Sequence, residues 1–115
     1  MKFKDFIDDC RRQLSDSVAP YRWDDPVLVR YHNNGQREIY REHPECVVTD
    51  TTVVTDPPED LTEADIASGD LNVRDFFAGA LLDFVCGSAF GEDSEDANNQ
   101  AKAAEHWSLF AAKMQ

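Results

Sequence analysis

Residues 73–89 read Val73-Arg74-Asp75-Phe76-Phe77-Ala78-Gly79-Ala80-Leu81-Leu82-Asp83-Phe84-Val85-Cys86-Gly87-Ser88-Ala89. Val73, Phe76, Phe77, Ala80, Leu81, Phe84, Val85 and Ser88 recur three and four positions apart, which is the spacing of one wide face of an α-helix. This is the most apolar segment of the chain, so the helix is expected at the centre of the core. Gly91 follows where glycine usually closes a helix. Ser94 is placed to cap a further helix running toward Met114. Its expected stripe is Ala97, Ala101, Ala104, Trp107, Ala111 and Met114, with Phe110 beside it, and the small residues let it pack close to a neighbour. The two helices, joined by Glu92-Asp93, are expected to form an antiparallel hairpin.

Upstream, Phe3, Phe6, Ile7, Cys10 and Leu14 mark one face of a helix from about Lys2 to Leu14, with Asp5, Asp8, Asp9, Arg11 and Arg12 off that stripe. Its acids come early and its arginines late, which suits the helix dipole. A second helix is expected from just after Trp23, capped by Asp24 or Asp25, with Pro26 in the first turn, to just before Pro44. Val27, Leu28, Tyr31, Gly35 and Ile39 continue one face along about 30 Å. Asn33-Asn34-Gly35 by itself reads as a turn. The periodicity on both sides favours one long helix, and two short helices broken at Gly35 are the alternative. A glycine kept inside a helix usually admits a close neighbour.

Between the helices the chemistry changes. Cys46 to Thr55 is rich in Val and Thr, and two short strands around Asp50-Thr51 are plausible. A lone hairpin is marginal in water and needs support from its own helices or another subunit. Residues 59–71 are acidic and loop-like, with a short helical turn near Thr62–Ile66. The fold expected for the single domain 1–115 is therefore mainly α. It has four helices, a long second helix and a C-terminal helical hairpin, with a β-hairpin or extended acidic segment between helices two and three. Helical residues 2–43, an extended stretch 44–71 and a hairpin 72–115 divide the chain.

The net charge is −12 and it is unevenly spread. Residues 1–42 balance eight Lys/Arg with eight Asp/Glu, residues 43–71 carry eight acids and no Lys/Arg, and residues 72–115 carry three bases against seven acids. Such a chain is not expected to grip the outside of nucleic acid or an anionic membrane. Three widely spaced cysteines, Cys10, Cys46 and Cys86, do not form a disulfide framework, and a reducing compartment is the simpler reading. Charges interrupt the N-terminal apolar residues, so neither a signal peptide nor a membrane span is expected. The protein is expected to be soluble and cytoplasmic at synthesis.

No catalytic set stands out. The chain has no Gly-rich phosphate loop, no Gly-x-Ser-x-Gly and no His-Glu-x-x-His. His43 and Cys46 have a metal-like spacing, but a structural zinc site needs four ligands. His32 is expected half-buried and hydrogen-bonded, and His106 at the surface or an interface. The acids at Glu92, Asp93, Glu95 and Asp96 suit a solvated helix N-terminus better than calcium. No catalytic residue, metal or cofactor is assigned, and no enzymatic activity is expected.

Two blocks of the sequence resemble a known family. Arg22-Trp23-Asp24-Asp25-Pro26 leads into Leu28, Asn33, Gly35, Gln36, Arg37, Glu38 and Ile39, with His43-Pro44 at the end. The second block runs Ala80-Leu81-Leu82-Asp83-Phe84-Val85, Ala89-Phe90, Glu92 to Ala97, then Ala101-Lys102-Ala103-Ala104-Glu105-His106-Trp107 and Phe110. Together these resemble the small head-to-tail adaptor, or connector, proteins of tailed bacteriophages, over most of residues 3–112. The middle segment is shorter than in family members that carry a β-hairpin insertion there. The resemblance implies a structural virion protein of the neck, in a ring of twelve copies between the portal protein and a tail or nozzle protein. Genome DNA passes through such a ring without specific binding. A ring needs one patch to meet a different patch on the next copy. Gly35, Arg37, Ala101, Ala104, Trp107 and Phe110 are the expected subunit or portal contacts. Asp50, Asp56, Glu59 and Asp60 are the acids expected to face the lumen, although that segment could also point outward. A DNA-mimicking acidic inhibitor is the alternative from another class, and a small metal-dependent enzyme is the third.

Overall fold

The computed structural model describes residues 1–47, 56–93 and 95–115. Four helices dominate it: α1 (Phe3–Gln13), α2 (Asp25–Glu42), α3 (Ala78–Glu92) and α4 (Ala97–Lys113). They form a flat slab of 45 × 32 × 16 Å. Among the described residues there is no sheet, only two isolated bridges, Lys2 to Asp70 and Val47 to Val73. The possible strands around Asp50-Thr51 lie outside the described residues. No helix among the described residues is long and apolar enough to cross a membrane.

The apolar segment is the hub, as expected. α3 buries residues around its whole circumference, among them Ala80, Leu81, Val85, Cys86, Ala89 and Phe90. α1, α2 and α4 all pack on it, and α3 with α4 forms the hairpin. The start of this helix is later than its periodicity suggests. Val73 is extended and bridged to Val47, the Arg74 amide donates to the Cys46 carbonyl (2.7 Å), and a 3₁₀ turn at Asp75–Phe77 precedes α3. Phe76 consequently leaves the core and stands 86% exposed. Nor does Gly91 close the helix. No glycine has positive φ, and α3 runs on to Glu92, which pairs with Arg30 of α2.

α2 is one unbroken helix through Asn33-Asn34-Gly35. Its N-cap is Asp24, whose carbonyl, and not its side chain, accepts the amides of Val27 and Leu28. Gly35 is required by its neighbours on α3. A Cβ there would lie 2.8 Å from both Leu81 Cδ1 and Phe84 Cδ1.

α1 ends in a left-handed residue that is not glycine. Ser15 has φ 54°, the Asp16 amide donates to the Arg11 carbonyl (2.8 Å) and the Ser15 amide to the Arg12 carbonyl (3.2 Å). These are the two bonds of a Schellman close. Where that motif usually adds a hydrophobic contact, this chain places an ion pair. Arg11, read from sequence as off the apolar stripe, is buried, with Nη1 3.1 Å from Asp16 Oδ2 and Nη2 2.5 Å from Asp25 Oδ1. Arg11 also donates to the Trp23 carbonyl, and the Asp16 carboxylate accepts the amides of Arg22 and Trp23. The pair thereby orients the loop that delivers the chain from α1 into α2.

Gly35→Ala tests the α2–α3 fit. Helix propensity alone favours alanine by about 1 kcal/mol. Overpacking against the Phe84 ring opposes it by about 1–3 kcal/mol. A net loss of stability in urea unfolding is the expected result, and Gly35→Ala at or above the parent midpoint contradicts the packing account.

Candidate functional site

The Asn33 to Arg37 stretch of α2 holds the acidic segment. Asn33 Nδ2 donates to the Leu61 carbonyl (2.9 Å) and the Leu61 amide donates back to Asn33 Oδ1 (3.0 Å). Gln36 Nε2 donates to the Glu59 carbonyl (2.8 Å), which also accepts from Asn72 Nδ2 (2.7 Å). Arg37 pairs with Asp60 and donates to Asn34 Oδ1. One helix face thus clamps residues 59–61, and the expected helical turn follows at Glu63–Ile66, where the Thr62 amide donates to Asp65 Oδ2. Glu59 and Asp60 stand exposed beside α2, and Asp56 is exposed as well. Asp50 lies outside the described residues.

The same clamp determines the state of His32. Because Asn33 Oδ1 already receives the Leu61 amide, it is an acceptor, and His32 Nδ1 at 2.9 Å must carry the hydrogen. The ring is fully buried, not half-buried as the sequence suggests, with Phe3 and Phe6 at centroid distances of 4.8 and 5.6 Å. Burial pushes its pKa down to about 4, opposed by the Asn33 bond and by the charge of Asp60.

The α3–α4 seam carries a buried charge that the sequence reading overlooked. Asp83 of α3 is 2% exposed. Its Oδ1 lies 2.9 Å from His106 Nδ1 and its Oδ2 2.6 Å from Lys113 Nζ, both on α4. The His106 ring stacks on Phe90 at 5.8 Å and 16°. His106 is therefore a seam residue of its own chain. A signal existed: a lone acid in an apolar helix needs a cation, and His106 and Lys113, seven positions apart, share one face of α4. An open groove of about 400 Å³ runs over this seam, lined by Leu82, Asp83, Phe90, Lys102, His106 and Leu109 among others. No Ser, Thr or Cys is among the residues that line it.

This charge cluster sets which face of α4 meets the core, and it is not the alanine stripe. Asn99 and Ala103 are buried and His106, Phe110 and Met114 half-buried, whereas Ala97, Ala101, Ala104 and Ala111 face outward. The N-cap is Asp96, whose side chain accepts the Asn98 amide (2.8 Å), and Ser94 lies outside the described residues.

The six expected contact residues thus separate. Gly35 is closed off by its own α3. Trp107 and Phe110 pack edge-on against Phe84 at 5.1 and 5.4 Å, and Trp107 lies over Gly87, leaving the indole 38% exposed. Arg37 is engaged with Asp60. Ala101 and Ala104 alone are wholly outward. Phe76 and Val18 (81% exposed) are outward apolar residues that the sequence did not single out. Cys10, Cys46 and Cys86 are free thiols buried in the core, and burial pushes the Cys10 thiol well up, as suits packing groups. Among the described residues no group of three or more His, Cys, Asp or Glu is placed to hold a metal ion.

No family model, curated protein or solved structure matches the chain.

Two outcomes are expected. Asp83→Ala leaves Lys113 without its counter-charge and His106 without its carboxylate partner. It should cost about 2–4 kcal/mol, below the loss for a fully buried pair because Lys113 is half exposed, read by thermal unfolding with tryptophan fluorescence (Trp23 and Trp107) as reporter. His32, neutral in the fold, makes stability full above its ordinary value of about 6.5. Stability then falls as acid lowers the pH toward 4, because only the unfolded chain takes up the proton. Urea midpoints measured from pH 7 to pH 4 should drop, and the drop should shrink in His32→Gln. An unchanged slope in that variant would contradict the assignment.

Proposed function

We propose that this chain is a structural head-to-tail adaptor of a tailed bacteriophage. Copies of it form a ring, twelve by the resemblance, between the portal protein and a tail or nozzle protein, in the virion neck. It has no catalytic role in this reading. The observation that carries it is the outward face of α4. Ala97, Ala101, Ala104 and Ala111 form an uncharged row on a chain of net charge −12, left uncovered by the chain's own core. Small residues there let a neighbouring copy approach closely, and exposed Phe76 adds an apolar anchor.

The resemblance of the Asn33 to Ile39 block supports the same reading. In this chain that block has a definite task, holding Glu59 and Asp60 at the surface. Acids displayed this way repel phosphate, which lets DNA slide past a conduit without sticking.

Purified protein mixed with the portal protein and imaged by electron microscopy should show rings or ring-capped portals. Ala104→Arg should abolish them while leaving the unfolding free energy within about 0.5 kcal/mol of the parent, as for a surface change. No ring and no portal complex with the parent protein would overturn the proposal.

A further inference from the structure

His43 joins the ends of two helices. It is the C-cap of α2, and its ring reaches across to the end of α4. Nε2 lies 2.8 Å from the carbonyl of Met114, the C-cap of α4, and Nδ1 lies 2.9 Å from Glu45 Oε1. The ring also leans on Phe77 at 5.5 Å. Both partners are acceptors only. A neutral imidazole has one N–H and satisfies one of them, and its other nitrogen then faces an oxygen lone pair. Only the imidazolium donates to both. The charge is also well placed, at the C-terminal, negative ends of both α2 and α4.

We propose that His43 is a proton-operated latch that fastens the last turn of α4 to the chain leaving α2, closed when the ring is charged and released when it loses its proton. The charged groups around it come from every element it touches. Glu42 on α2 and Glu45 in the following turn favour the closed form. Arg74, ahead of Phe77, is committed to the Glu45 carbonyl. Lys113 on α4 is committed to Asp83 on α3. Consistent with this, the Met114 carbonyl and, next, the Glu45 carboxylate raise the His43 pKa above its ordinary 6.5. A raised value means that the latch contributes fully below pH 6.5 and fades as pH climbs through the folded-state value.

Hydrogen exchange of the α4 last-turn amides, normalised to unstructured peptide at each pH, reads the latch between pH 6.5 and 9. His32 stays neutral over this range. Protection of the Ala112 to Met114 amides should fall about two- to tenfold, the effect of one net hydrogen bond, with a midpoint matching the His43 ring titration. In His43→Gln, which cannot be charged, protection should be low and flat with pH. Glu45→Gln should move the ring titration and the loss of protection downward together, and it carries the test alone if His43→Gln fails to fold. Protection that stays flat in the parent across the His43 titration, or that still falls with pH in His43→Gln, would overturn the latch.

Discussion

A helix that is apolar around its whole circumference must be covered on every side, and that requirement organises this protein. α3 is such a helix, with Leu81, Cys86, Phe90 and Ala80 buried on different faces. No single partner can cover it. α1, α2 and α4 each take one side, and the chain spreads into a slab 16 Å thick around the central helix. Close approach on two of those sides depends on missing side chains. Gly35 of α2 makes room for Leu81 and Phe84, and Gly87 of α3 makes room for Trp107. Phe84 touches both arrangements, so the α2 and α4 contacts meet at one ring.

Buried charge then selects among the packings that apolar contact allows. Two clusters do this. Arg11 with Asp16 and Asp25 orients the connection from α1 to α2, and Asp83 with His106 and Lys113 fixes the rotation of α4 on α3. Such pairs add little net stability, because removing two charges from water costs nearly what their attraction returns. A wrong rotation would instead leave a carboxylate unmatched in the core, at a cost of several kcal/mol. The alanines of α4 carry no comparable preference, so they end up outside. That outcome exposes the uncharged row on which the adaptor reading rests.

The acidic middle of the chain gains order in the same way, from polar groups of specific geometry. Asn33 and Gln36 present amides that pair with main-chain groups of residues 59–61 as a neighbouring strand would. The clamp keeps a segment without any Lys or Arg on the surface, and through Asn33 it also sets the tautomer of the buried His32. Fold, charge display and protonation are thereby coupled on one face of α2.

Much of this was legible from the residues alone. Periodicity identified α1, α2, the central apolar helix and the C-terminal hairpin, because helical spacing of apolar side chains is a local property. It also carried α2 through Asn33-Asn34-Gly35 against the local turn signal. Local pattern could not say that Val73 leaves the helix to bridge Val47, that Phe76 points to solvent, or that α3 continues past Gly91 to meet Arg30. Each depends on a partner distant in sequence. The candidate surface shows the same division. Composition determined that the chain is acidic and where its charge is concentrated. Tertiary structure alone decided which alanines face outward, because the rotation of α4 is governed by Asp83, and a buried carboxylate accepts only the orientation that brings it a cation.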